Sequence, residues 1–160
     1  MSRAASGALR SDGSSEAASS AVFASAWGPT TANSKTKMQN DRARFRSVFQ
    51  NRVYELALDV VRFVDGLPGD QTSRVLTDQL LRSATSIGAN VVEAQAASSR
   101  KDYANFFTHA LKSANECKFW LGLLRDSGRG DSEAVGKLLN EATEVANILA
   151  ASILTLKGRR

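Results

Sequence analysis

From about residue 41 onward, apolar side chains return in steps of three and four, the period of one buried face on an α-helix. The clearest stretch is Leu76 to Ala97, LTDQLLRSATSIGANVVEAQAA. Its apolar positions are Leu76, Leu80, Ala84, Ile87, Val91 and Ala94, with no proline and a single glycine, Gly88. A stripe of that kind needs partner helices of its own length, because it has to be covered along its whole extent.

The same period predicts those partners. One helix is expected over Asp41–Gly66, capped by Asn40 or Asp41, with Phe45, Phe49, Val53, Leu56, Val60, Val64 and Leu67 inward. Leu67-Pro68-Gly69-Asp70 stops it, because proline cannot continue a helix and glycine frees the turn. The second helix runs over Thr72–Ala97. Ser99-Arg100-Lys101-Asp102 has capping-box spacing and opens a third over Arg100–Ser127, with Tyr103, Phe107, Ala110, Ala114, Cys117, Leu121 and Leu124 inward. Gly128-Arg129-Gly130 closes it, and Asp131 or Ser132 caps a fourth over Glu133–Leu156. Its seam is Val135, Leu138, Ala142, Val145, Leu149, Ile153 and Leu156. Short connections force neighbours to run antiparallel, so the predicted fold is all-α, an up-down-up-down four-helix bundle spanning residues 41–160.

Residues 1–40 break the pattern. They are dominated by Ala, Ser, Gly and Thr, with Phe23 and Trp27 as isolated aromatics. A segment of that composition buries too little apolar surface to offset the entropy of ordering, so it is expected to be a disordered or tag-like extension. An organelle transit peptide is the weaker reading, since Arg3 and Arg10 are the only basic residues before Lys35. Met38 marks an alternative start.

Composition adds limits. The chain has 160 residues, 42% of them hydrophobic, enough for one real core. A net charge of +5 suits RNA, DNA or an acidic partner without selecting among them. The single cysteine, Cys117, cannot form an intramolecular disulfide, which points to a reducing compartment and a cytoplasmic location. No apolar run reaches the roughly 18 residues of a membrane span, and residues 1–10 lead into no secretory apolar core.

Ser86-Ile87-Gly88-Ala89-Asn90-Val91-Val92-Glu93-Ala94 resembles the S-I-x-A-N-I-x-E-G signature of a bacterial family encoded by intervening sequences of large-subunit ribosomal RNA genes. The accessory variability determinants of diversity-generating retroelements resemble the same family. Tyr54-Glu55-Leu56-Ala57, Ser99-Arg100-Lys101-Asp102-Tyr103 and Ser113-Ala114-Asn115-Glu116 also match its pattern, so the likeness covers Phe45 to Leu156. Ala94 departs from it where glycine is usual, and the N-terminal extension has no counterpart. The resemblance implies a four-helix bundle in a five-membered ring. In the retroelement branch it implies a basic ring that binds RNA and a reverse transcriptase.

No catalytic constellation is visible. A carboxylate-bridged metal site in a bundle needs Glu-x-x-His pairs, and Phe106 stands three residues before His109, the only histidine. Cys117 and His109 are eight residues apart on one predicted helix, about 12 Å along its axis, too far to act as nucleophile and base. No cofactor or metal ligands are therefore expected. Asn90 and Glu93 flank the apolar stripe of the second helix, and Glu116 does so on the third; a structural hydrogen-bonding role is the expected one.

The basic residues gather at Arg42, Arg44, Arg46 and Arg52, and again at Arg100 and Lys101. These are the candidate nucleic-acid contacts, made multivalent if copies of the chain assemble. On the third helix Phe119 and Leu123 project away from the inner row, with Trp120 to one side; with Leu58 and Ile148 they form the candidate oligomer interface. The sequence thus predicts a non-enzymatic, homo-oligomeric basic bundle acting as a nucleic-acid scaffold. The alternative is a protein–protein adaptor without nucleic acid.

Overall fold

A computed structural model of the chain describes residues 37–158. Four α-helices follow one another: α1 Lys37–Val64, α2 Gln71–Glu93, α3 Arg100–Asp126 and α4 Ser132–Leu156. The chain divides into two units, residues 1–47 and 48–160. The expected extension, residues 1–40, lies almost entirely outside the described residues. Within the second unit the helices alternate in direction and enclose one core, the all-α four-helix bundle that the hydrophobic period calls for.

The inner rows meet as the period requires. Val60, Leu80, Ile87, Leu121, Leu124, Val135, Val145 and Leu149 are wholly excluded from solvent and belong to one cluster. Burying a Leu or Ile side chain contributes about 1.5–3 kcal/mol, so this interior dominates the stability of the unit. Helix α2 packs along α3, and α3 along α4. Phe49 of α1 reaches Phe107 of α3, ring centroids 6.1 Å apart, and Tyr103 stacks on Phe107 at 4.7 Å.

Several helix boundaries differ from expectation, and so does the burial of one inner-row residue. Asn40 and Asp41 lie inside α1 instead of capping it, since Lys37, Met38 and Gln39 extend the helix ahead of them. Phe45 is half exposed, standing before Val48, where the bundle unit begins. Helix α2 starts one residue earlier than predicted because Asp70 caps it, accepting from the backbone of Thr72 and Ser73. It also ends at Glu93, and Ala94–Ala96 tightens into a 3₁₀ turn.

The caps explain why α3 and α4 begin where they do. Ser99 accepts from the Asp102 N–H, while the Asp102 carboxylate reaches back to the Ser98 N–H and hydroxyl, a capping box shifted by one residue. Asp131 accepts from the Ala134 N–H at the head of α4. At the foot of α3, Gly128 adopts φ +67 and the Arg129 N–H bonds the Leu124 carbonyl, a Schellman closure that favours glycine. Gly130 answers a different need: a Cβ there would lie 2.9 Å from Cζ of Phe63, so glycine lets the turn rest on α1.

Candidate functional site

Two polar clusters tie the turns of the bundle to its helices. At one end Arg129 donates to Asp70 Oδ2 at 2.7 Å and to the Ser73 hydroxyl at 2.8 Å, fastening the α3–α4 turn to the start of α2. Ser73 itself donates to Asp70 Oδ2 at 2.7 Å. The Ser73 hydroxyl, then the Ser73 N–H and Arg129, hold the Asp70 carboxyl at about 2, well below its ordinary value. At the other end Arg100 donates to the Thr155 carbonyl at 2.9 Å, satisfying one of the orphan carbonyls that close α4.

Halfway along the α2–α3 seam lies a small polar ladder. The Ser86 and Ser113 hydroxyls meet at 2.9 Å, and the Asn90 amide donates to the Ser86 carbonyl at 2.8 Å and to its hydroxyl at 3.2 Å. Ser86 and Asn90 are one helical turn apart, so the ladder needs that spacing on α2 and a hydroxyl at one level of α3. Asn90 thus hydrogen-bonds back onto its own helix, beside the Ser86–Ser113 contact. Glu93 does not share it: it is exposed at the end of α2. Glu116 is exposed as well and faces the indole N–H of Trp120 at 3.5 Å.

The candidate basic residues separate into engaged and exposed ones. The Arg42 side chain lies outside the described residues. Arg44 and Arg46 are exposed in the first unit. Arg52 is bound through two guanidinium nitrogens to both oxygens of Glu141 on α4, the second at 2.9 Å, and this hydrogen bond raises its pKa further. Arg100 serves the end of α4, while Lys101 beside it is exposed. Further exposed cations without an ion-pair partner among the described residues are Arg74, Arg82, Lys112 and Lys157.

Among the described residues, Cys117 and His109 are not brought together. Cys117 is fully buried, and burial pushes its thiol up to about 11 despite the Ser83 hydroxyl beside it, so it stays protonated at neutral pH. His109 is exposed on the same helix, eight residues away. Among the described residues no three His, Cys, Asp or Glu side chains gather where they could hold a metal ion. An open groove of about 400 Å³ between α1 and α4 is lined by Arg52, Glu55, Leu56, Asp59, Lys137, Leu138 and Glu141. Its charged walls are largely tied up in ion pairs, Arg52 with Glu141, Arg62 with Asp59 and Lys137 with Glu133. No described helix is long and apolar enough to cross a membrane.

Of the candidate interface residues, Phe119 and Leu123 stand out on α3, 57% and 38% exposed. Trp120 and Ile148 are partly buried against the core, so Ile148 does not project freely from α4. Leu58 is partly exposed on α1.

The class these features define is a four-helix bundle with a polar α2–α3 seam and hydrogen-bonded ends. Residues 47–151 match the model of the 23S rRNA-intervening sequence protein family, and the chain belongs to that family. A solved structure of a protein of unknown function from the S23 ribosomal protein family of Bacteroides thetaiotaomicron is similar at 37% identity and a TM-score of 0.62. The match covers 66% of this chain and 97% of that one. No curated protein matches the chain.

Proposed function

We propose that the chain is a non-enzymatic, homo-oligomeric scaffold that associates with nucleic acid through its exposed cations. The observation that carries this reading is the split among the basic residues. Arg52 is ion-paired with Glu141 and Arg100 hydrogen-bonds the Thr155 carbonyl, but Arg44, Arg74, Arg82, Lys101, Lys112 and Lys157 are exposed with no ion pair among the described residues. Cations with no internal work, on a chain of net charge +5, suit phosphates. Neither Gly-rich phosphate loops nor aromatic RNA-reading motifs are present, so the contact is to backbone and independent of sequence. RNA is the favoured ligand, with a reverse transcriptase as a protein partner in the retroelement-like case. The partner-only adaptor is the competing reading.

The test is RNA binding as a function of salt. Phosphate contacts release counterions, so affinity should fall linearly on a log–log plot with a slope near −0.7 per neutralised phosphate for single strands. Charge reversal of Arg44 and Arg46 should weaken binding for every RNA sequence and flatten that slope. Absence of binding at about 50 mM salt, where such contacts are strongest, hands the case to the adaptor.

A further inference from the structure

Charge is divided unevenly between the helices. From Val48 to Asp65 and from Asp131 to Leu156 the chain carries seven acidic and three basic side chains, a net charge of −4, in a protein of net charge +5. The excess of cations therefore lies wholly outside the α1 and α4 parts of the bundle. The open groove of about 400 Å³ runs between these two helices, with the buried Leu56 and Leu138 at its base. Both cations in its lining are already held, Arg52 by Glu141 and Lys137 by Glu133. Its acids on α1 are held less firmly. Glu55 is exposed with no ion pair among the described residues. Asp59 meets Arg62 at 3.3 Å with both side chains more than half exposed, a pair that contributes little and yields to a better partner. Glu55 and Asp59 are four residues apart, so their carboxylates stand one turn above the other on a single wall.

We infer that this groove receives a basic helical segment of a protein partner, with Lys or Arg four residues apart over Glu55 and Asp59 and an apolar side chain between them toward Leu56 and Leu138. The lining selects that occupant. Acidic walls repel a phosphate backbone, so the groove is not a continuation of the surface proposed for RNA. A bare metal ion finds no group of three ligating side chains among the described residues. A helix, by contrast, presents cations at the spacing of the two carboxylates, and its ridge of side chains packs into the groove between two others. In this mode of recognition the apolar anchor supplies affinity, while the charges set register and orientation. The inference goes beyond the nucleic-acid reading: it gives the scaffold a second surface of opposite sign, which a protein can occupy while RNA is bound elsewhere.

The experiment titrates the full chain into a fluorescein-labelled peptide and follows anisotropy at about 0.01 M ionic strength, where charges are screened least. The probe is a peptide of Ala, Leu and Lys, about 16 residues long so that it can hold a helix, with Lys pairs four apart and Leu between them. Its control has Glu at every Lys. The Lys peptide should bind and the Glu peptide should not. Glu55→Lys with Asp59→Lys should weaken the Lys peptide about tenfold and admit the Glu peptide. Both positions are exposed, so the melting temperature should stay in place. Reversal of Glu93 and Glu116, exposed acids of α2 and α3, should leave the Lys peptide bound as before. No binding of the Lys peptide, or equal weakening by the Glu93 and Glu116 reversal, overturns the groove as its site. A fall in the mass of the chain in the Glu55, Asp59 variant makes a second copy the occupant and overturns the proposal as well. RNA binding by that variant should be undiminished; its loss would place RNA in the groove and overturn the proposal. None of these results depends on whether the wild type binds RNA, which the salt titration decides on its own.

Discussion

At the scale of single residues the informative side chain is Asp70. One carboxylate oxygen caps α2 through the Thr72 and Ser73 N–H groups at 3.0 and 3.2 Å, and the other takes the Ser73 hydroxyl and Arg129. Four donors favour the ionised form, which places its pKa at about 2. A carboxyl whose pKa is lowered on folding contributes stability above its unfolded value, about 3.9, and loses that contribution as pH falls toward 2. Asp70→Asn should therefore melt at a lower temperature than the wild type at pH 6, with the difference shrinking below pH 4 and gone near pH 2. Parallel melting curves at all pH values would show that Asp70 titrates alike in both states. The sequence marked Asp70 only as part of a helix break. Its partner Arg129 is 59 residues distant, which no local spacing reveals.

At the scale of elements, periodicity located all four helices because each has one buried stripe, and the inner rows read from it are the buried rows of the structure almost residue for residue. What it missed has two causes. Phe45 fits the period of α1 yet is half exposed, because the period places a residue on a stripe without fixing how deeply it is buried. Arg52 reads as part of a basic cluster, yet it meets Glu141, 89 positions away; Arg100 likewise meets Thr155. Charge density along a chain says nothing of which cations the fold has already paired. Helix α2 gives the sharpest element-level test. Ile87 has no exposure and belongs to the core cluster, next in sequence to Ser86 of the polar ladder. Ile87→Asp should abolish cooperative unfolding by circular dichroism, because an unpaired buried carboxylate costs several kcal/mol against a total of about 5–15. Ser86→Ala, on the ladder beside it, should cost only about 1 kcal/mol. Wild-type stability in the aspartate variant would mean that another face of α2 is the inner one.

At the scale of the whole molecule, three observations converge on the same boundary. The family model begins at residue 47, the bundle unit at Val48, and among the described residues the first in the buried core is Phe49. The similar solved structure is covered over 97% of its own length by 66% of this chain. Among the described residues the core cluster begins at Phe49, and the hydrogen bonds that fasten the two ends of the bundle join Asp70 to Arg129 and Arg100 to Thr155. None of these interactions draws on residues before Met38. A chain beginning at Met38 should then keep the helical circular dichroism signal of the bundle and melt within a few degrees of the full chain. For a domain of this size about 1 kcal/mol moves the melting temperature by roughly 2–8 °C, so the measurement resolves even a modest contribution. A drop beyond that range would show that residues 1–37 pack on the bundle, and the apolar pair Phe23 and Trp27 would be the first place to look, by substituting each with serine in the full chain.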